Sequence, residues 1–208
     1  MLNKLIAKQF ALPKGLSGNI VGFFMNRQNK PMYEETIHML SLSNAESILD
    51  IGCGSGYVLN MIAKQFECTF TGIDISETII KAAIKRNYAL VKSGKMLFFC
   101  HDMAAMPFED ESFSRVYTIN TVYFWDSLPN TMREINRVMK PDGIFVNTLY
   151  SNKALDRFPH TKYGYQRFSE QQLTDAGLSS GFDVETRHIL NKNAFCFIHR
   201  KRSERHET

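Results

Sequence analysis

The stretch ILDIGCGSGY, residues 48–57, sets Gly52, Gly54 and Gly56 at alternate positions directly after a short apolar run that holds one acid, Asp50. Such a loop lets backbone approach a nucleotide-like ligand closely. Two common ligands fit it badly. A triphosphate loop, GxxxxGK[ST], needs a Lys after its glycines, and none follows here. A dinucleotide loop, GxGxxG, puts its third Gly where this chain has Tyr57. A carboxylate at Asp50 suits a ligand that brings positive charge, an ammonium or a sulfonium, and ill suits a pyrophosphate. Asp74 ends the next apolar run, where an acid accepts hydrogen bonds from both hydroxyls of a ribose. Asp102, between His101 and Met103, ends the third run, and an acid beside an apolar side chain suits the edge and face of an adenine.

Bringing three acids into one crevice requires parallel strands that end together. The runs Ser47–Ile51, Thr69–Asp74, Met96–His101, Arg115–Ile119 and Ile144–Leu149 read as strands, and Tyr57–Gln65, Glu77–Val91 and Leu128–Met139 as the helices between them. Lys140-Pro141-Asp142-Gly143 turns the last helix into its strand. A helix then opens at Ser169 with Gln172 completing a capping box. The runs Val184–Leu190 and Ala194–His199, three residues apart, predict an antiparallel hairpin. The fold class is therefore α/β: a Rossmann-like, doubly wound, seven-stranded sheet, mostly parallel with a C-terminal antiparallel hairpin. Residues 1–46 have no place in that sheet. Two helices, Leu2–Phe10 and Met32–Leu42, flank a segment with Gly15, Gly18 and Gly22, which reads as a mobile connection in a helical flap or lid. The expected organisation is a flap over 1–46, a ligand-binding domain over 47–199 and a disordered polar tail over 200–208.

Composition agrees with one domain able to bury a core: 208 residues, 44% hydrophobic and 12% aromatic. The net charge of +4 sits at the two ends, which is weak support for a nucleic-acid partner. Cys53, Cys68, Cys100 and Cys196 show neither a CxxC pair nor metal-ligand spacing, so reduced thiols, no metal and a cytoplasmic location are expected. The N-terminal stretch lacks a signal-peptide core, and no run nears the roughly 20 apolar residues of a membrane span.

Taken together, LDIGCGSG, TGIDIS, CHDMAAMPFEDESFSRVY and EINRVMKPDGIFV resemble, in order and spacing, the motifs of class I S-adenosylmethionine-dependent methyltransferases, and are most similar to the small-molecule branch that includes the ubiquinone/menaquinone-type enzymes. Asp142 departs from the glycine usual in that branch, at a turn. The resemblance implies S-adenosyl-L-methionine as cofactor and S-adenosyl-L-homocysteine as product. It implies that Gly52, Gly54 and Gly56 admit the methionine part, that Asp50 assists at its ammonium, and that Asp74 takes the ribose with Ile75 on the adenine. Asp102 with Met103 would recognise the adenine edge, and Asn120 would line the floor beneath the methionine.

Methyl transfer from a sulfonium is an in-line displacement that depends on positioning, with a base needed only for a protonated nucleophile. The expected acceptor is a small molecule methylated on O, N, S or C. Tyr123 and Trp125 leave the fourth strand beside the crevice, and the loop RFPHTKYGYQRF carries His160, Tyr163 and Tyr165. Of these, Tyr123, Trp125, His160 and Tyr163, with Tyr33 of the flap, are the expected pocket, and His160 and Tyr123 the candidate catalytic groups. Three alternatives stay open: nucleic-acid methylation, since Asn120-x-x-Tyr123 has the NPPY spacing without its prolines, protein methylation, and a non-catalytic cofactor-binding subunit.

Overall fold

A computed structural model describes the backbone of residues 15–202 and the side chains of residues 27–202. It contains α1 (Gly15–Met39), β1 (Ser47–Ile51), α2 (Tyr57–Ala63), β2 (Thr69–Asp74), α3 (Glu77–Arg86), α4 (Tyr88–Lys92), β3 (Met96–Cys100) and β4 (Phe113–Ile119). These are followed by α5 (Leu128–Val138), β5 (Met139–Tyr150), α6 (Asn152–Leu155), α7 (Glu170–Ser179), β6 (Phe182–Ile189) and β7 (Ala194–Lys201), with short 3-10 turns at Val122–Phe124 and Pro159–Lys162. The seven strands form one open sheet in the order β3-β2-β1-β4-β5-β7-β6. β7 runs antiparallel to both β5 and β6, and the other pairings are parallel. Chain order reverses between β1 and β4, and in such sheets the ligand crevice lies at that switch, outside the carboxyl ends of the strands.

β1 is a central strand buried from Ile48 to Ile51, so its apolar run is nearly continuous, and helices on the two faces cover two apolar clusters. Ile48, Val146 and Ile198 belong to one cluster, and Leu49, Val116 and Phe145 to the other. α5 presents Met132, Ile135 and Val138 to the second cluster, and the capping box at Ser169 and Gln172 opens α7 as expected. Among the described residues no helix is long and apolar enough to cross a membrane.

Several boundaries differ from expectation. The helix expected over Glu77–Val91 breaks at Asn87, whose side-chain amide donates to the Ala83 carbonyl at 3.0 Å and the Gly56 carbonyl at 3.3 Å and so competes with the helical ladder. β5 begins at Met139, five residues early, because Met139 pairs with Phe113 across a register shift. Asp142 adopts φ 58°, a conformation in which glycine is unstrained.

The largest difference is at the front. The glycine-bearing segment expected to be a mobile connection is helical, part of one continuous α1 with Pro31 inside it. A glycine costs a helix only about 1 kcal/mol. Against that, α1 buries Met32, Tyr33 and Thr36 and is followed by buried Leu40, in contact with β4, β5 and β7. Thr36 Oγ1 bonds the Met32 carbonyl and lies 2.7 Å from Thr148 Oγ1, tying the helix to the sheet. The expected helix Leu2–Phe10 lies outside the described residues. At the other end, residues 200–202 are ordered: Lys201 Nζ donates to the carbonyls of Met139 (2.7 Å) and Asn136 (3.0 Å), and Arg202 pairs with Asp183. Residues 203–208 of the expected tail lie outside the described residues.

Candidate active site

β1 delivers the loop. The amides of Gly52 and Cys53 both donate to the Ile73 carbonyl, at 2.8 and 3.0 Å, so the chain folds back over the end of β2. Gly52 has φ 72°, and a Cβ there would collide with Thr121 Cγ2. At Gly56 a Cβ would meet Asn87 Nδ2 at 2.6 Å and Phe98 Cζ at 2.8 Å. Gly54 differs: a Cβ would meet nothing within 4 Å, so this glycine faces open space at the crevice.

Asp74 is bonded to the loop, Oδ2 accepting from the Gly54 amide at 3.1 Å and Oδ1 from the Ser76 amide at 2.9 Å. Each oxygen keeps a second lone pair for a ligand hydroxyl. Burial raises the Asp74 pKa, partly offset by these two bonds. Ile75, next in the chain, is 58% exposed, an apolar face available to a flat ring. Asp102 lies two residues beyond β3 and is exposed; its Oδ1 accepts from the Ala104 amide at 2.8 Å, and Met103 packs against the core.

Asp50 is 4% exposed and accepts a hydrogen bond from the Tyr117 hydroxyl at 2.8 Å. Its pKa is pushed up to about 8, first by burial and further by the Asp74 charge, while the Tyr117 bond lowers it. Tyr117 is a site residue that sequence reasoning missed. The clue was the register, which sets Tyr117 directly beside Asp50, and register was not visible in the chain alone. Tyr33 is buried close to this end, its ring 5.9 Å from that of Tyr57 and its hydroxyl bonded to Asn29.

Asn120 directly follows β4 with φ 59°. Its Oδ1 accepts from the Tyr150 amide at 3.2 Å, and its Nδ2 lies 3.7 Å from Met32 Sδ. From here a cleft opens between α1, the turn after β4 and the segment after β5. Gln28, Asn29, Asn120 and Thr161 supply its polar lining, and Tyr123, Phe124, Tyr150, Phe158, His160 and Tyr165, with Leu155, supply the rest. Of the residues expected at the acceptor, Tyr123 and His160 therefore meet in this cleft. Three others do not line it. Tyr33 sits toward Asp50. Trp125 is fully buried, its Nε1 donating to Thr121 Oγ1 at 3.2 Å in the apolar cluster beneath. Tyr163 is 45% exposed beyond the Pro159–Lys162 turn. Tyr123 forms a wall: its hydroxyl accepts from the Tyr150 amide at 2.7 Å and lies 3.2 Å from both Asn120 Oδ1 and the Tyr150 carbonyl. Burial raises its phenol pKa well above the ordinary value, which leaves it no basic form near neutrality. Gln28, Asn29 and Tyr150 were missed, because the cleft gathers them from opposite ends of the chain.

Residues 49–147 match the family model described as a methyltransferase domain. That match, with the sheet topology and the relatives below, supports a class I S-adenosylmethionine-dependent methyltransferase. This methyltransferase is 25% identical over 183 residues to the uncharacterized methyltransferase YdaC of Bacillus subtilis (strain 168), covering 88% of this chain and 98% of that one. It spans 32–40% of the length of other, longer curated relatives. Its fold is that of a chain in the complex between the Haloferax volcanii Trm112 methyltransferase activator and a putative methyltransferase, with TM-score 0.77, 17% identity and coverage of 86% and 92%. It is also that of geranyl diphosphate C-methyltransferase from Streptomyces coelicolor A3(2), solved with Mg2+, geranyl diphosphate and S-adenosyl-L-homocysteine, with TM-score 0.72, 14% identity and coverage of 86% and 80%. The methyltransferase uses S-adenosylmethionine as its cofactor.

Proposed function

We propose that this methyltransferase transfers the methyl group to a small-molecule acceptor held in the cleft of Asn120, Tyr123 and His160. One observation carries the reading: the cleft adjoins the carboxyl end of β4, the strand next to the glycine loop, and Asn120 belongs both to that strand end and to the cleft lining. In this reading Asp74 takes the ribose hydroxyls, Ile75 and Met103 flank the adenine, and Asp102 meets its amino edge. Asp50, held by Tyr117, faces the ammonium of the methionine part. Asn120 forms the floor between cofactor and acceptor. S-adenosylmethionine supplies an activated methyl group on a sulfonium. The protein contributes alignment and exclusion of water, with α1 and the 150–166 segment forming the walls.

The small-molecule reading is supported by the enclosure of the cleft among aromatic side chains, and a neighbour of the same fold acts on geranyl diphosphate. Calorimetry with S-adenosylmethionine, S-adenosylhomocysteine, NAD and ATP tests the cofactor assignment, and a labelled-methyl screen with product masses tests the transfer. Binding of NAD with no response to the adenosyl ligands would end the reading. So would methylation of macromolecules alone.

A further inference from the structure

The cleft is built without charge. Among the described residues no Lys, Arg, Asp or Glu lines it, and its polar groups are amides, hydroxyls and one imidazole. The rings form a connected wall: Phe124 and Tyr165 meet edge to face at 4.7 Å, Tyr123 and Tyr165 lie at 5.4 Å, and His160 lies 6.0 Å from Tyr165 and 5.9 Å from Phe158. The nearby cation, Arg167, is turned to other partners: Asp156 at 3.4 Å, Thr161 Oγ1 at 3.1 Å and the Asn152 carbonyl at 3.3 Å.

A phosphate, carboxylate or ammonium carried into such a place loses its hydration and gains no opposite charge, which costs several kcal/mol. An uncharged flat molecule loses little and stacks on the rings. Burial raises the pKa of Tyr123, Tyr150 and Tyr165 and lowers that of His160, so all four are neutral near pH 7. Of them, the imidazole is the group able to take up a proton in that range.

We propose that the acceptor is an uncharged, flat molecule bearing a hydroxyl, and that His160 takes up its proton on transfer. This rests on the methyl-transfer reading above. In the step, the acceptor oxygen forms a bond to the methyl carbon as the carbon–sulfur bond breaks, and that electron pair stays on sulfur, which becomes a neutral thioether. The hydroxyl proton passes to a ring nitrogen of His160. One positive charge thus moves from sulfur to imidazole, and the imidazolium then returns its proton to water. Among the described residues the Arg167–Asp156 pair stands beside the cleft through Thr161, and Tyr123, Tyr150 and Tyr165 are neutral.

A matched series tests the charge rule: 2-naphthol, 2-naphthyl phosphate, 2-naphthoate and 2-naphthylmethylamine, titrated into the protein loaded with S-adenosylhomocysteine. The expected result is 2-naphthol binding at least tenfold more tightly than each charged analogue, and 2-methoxynaphthalene as product when S-adenosylmethionine replaces the product ligand. His160→Gln should lower kcat at least tenfold with KM within about twofold, leave S-adenosylhomocysteine affinity unchanged, and abolish the rise of rate with pH on the acid side of the ordinary histidine value of 6.5. Gln28→Arg, at the exposed rim of the cleft, should raise affinity for 2-naphthoate at least tenfold. Absence of 2-naphthol binding, equal binding of a charged analogue, full kcat in His160→Gln, or no gain in Gln28→Arg would each overturn the proposal while leaving the methyl-transfer reading in place. Failure to bind S-adenosylhomocysteine at all would remove both.

Discussion

At the end of the crevice proposed for the cofactor, the groups offered to a ligand are backbone amides, glycines and strand-end carboxylates, all contributed by three neighbouring strands of the sheet. At the end proposed for the acceptor they are side chains drawn from α1, the turn after β4 and the segment after β5. In that proposal the first end recognises a cofactor of fixed shape, and its parts belong to the backbone and to the strand ends. The second is assembled from elements that share no sequence neighbourhood, and its chemistry lies in side chains that substitution can exchange one at a time.

The contrast can be broken from either side. The largest effect is expected from deleting residues 1–42. This removes Met32, Tyr33, Thr36 and Leu40 from the core, each large side chain contributing about 2–5 kcal/mol, so cooperative thermal unfolding should disappear. A deletion variant that still melts cooperatively would make α1 a detachable cover. Next, Gly52→Val introduces a β-branched residue at φ 72° against Thr121, and affinity for S-adenosylhomocysteine should fall about a hundredfold or more. By contrast, Phe158→Ala at the other end should leave that affinity within about twofold. Similar losses in the two variants, by calorimetry, would mean the ends are not separate.

Asp74→Ala should cost cofactor binding about 1.5–3 kcal/mol, roughly ten- to hundredfold, and Asp74→Asn less, because hydrogen bonds to a charged acceptor are lost. Unchanged affinity in Asp74→Ala would remove the ribose assignment. The smallest effect concerns protons. With its pKa raised to about 8, Asp50 is protonated in the free protein below that pH, whereas pairing with an ammonium requires the carboxylate. Affinity should therefore rise about tenfold from pH 6 to pH 7, with about one proton released on binding. Calorimetry in two buffers of different ionisation enthalpy reads the proton, and Asp50→Asn should show neither the slope nor the release. The sign also holds for the free fold: its Asp50 binds a proton that the unfolded chain has lost, so this contribution to stability is full below the unfolded value near 4 and is lost as pH rises toward 8.

Legibility followed the same division. β1 and β2 begin and end where the apolar runs do, because a central parallel strand is buried on both faces and its pattern needs no tertiary information. The capping box and the hairpin were local too. α1 was not, since its glycines argue for a break and only contacts with β4, β5 and β7 override them. The Asn87 break depends on a bond to Gly56, 31 residues earlier. Trp125 shows the limit most clearly: its neighbours Tyr123 and Phe124 line the cleft, and one step further along the turn the chain points its indole into the core. Ring chemistry marked the segment, but direction came from packing.

The docking of α1 also has a consequence in time. A chain is made from its N-terminus, and this helix is the first described element to leave the ribosome, yet its partners β5 and β7 are among the last. Until residue 201 has been added, Met32, Tyr33 and Leu40 have no complete surface to cover them. The opening segment must therefore wait through most of synthesis with its apolar side bare, the stretch of chain life when a holding chaperone has the most to protect.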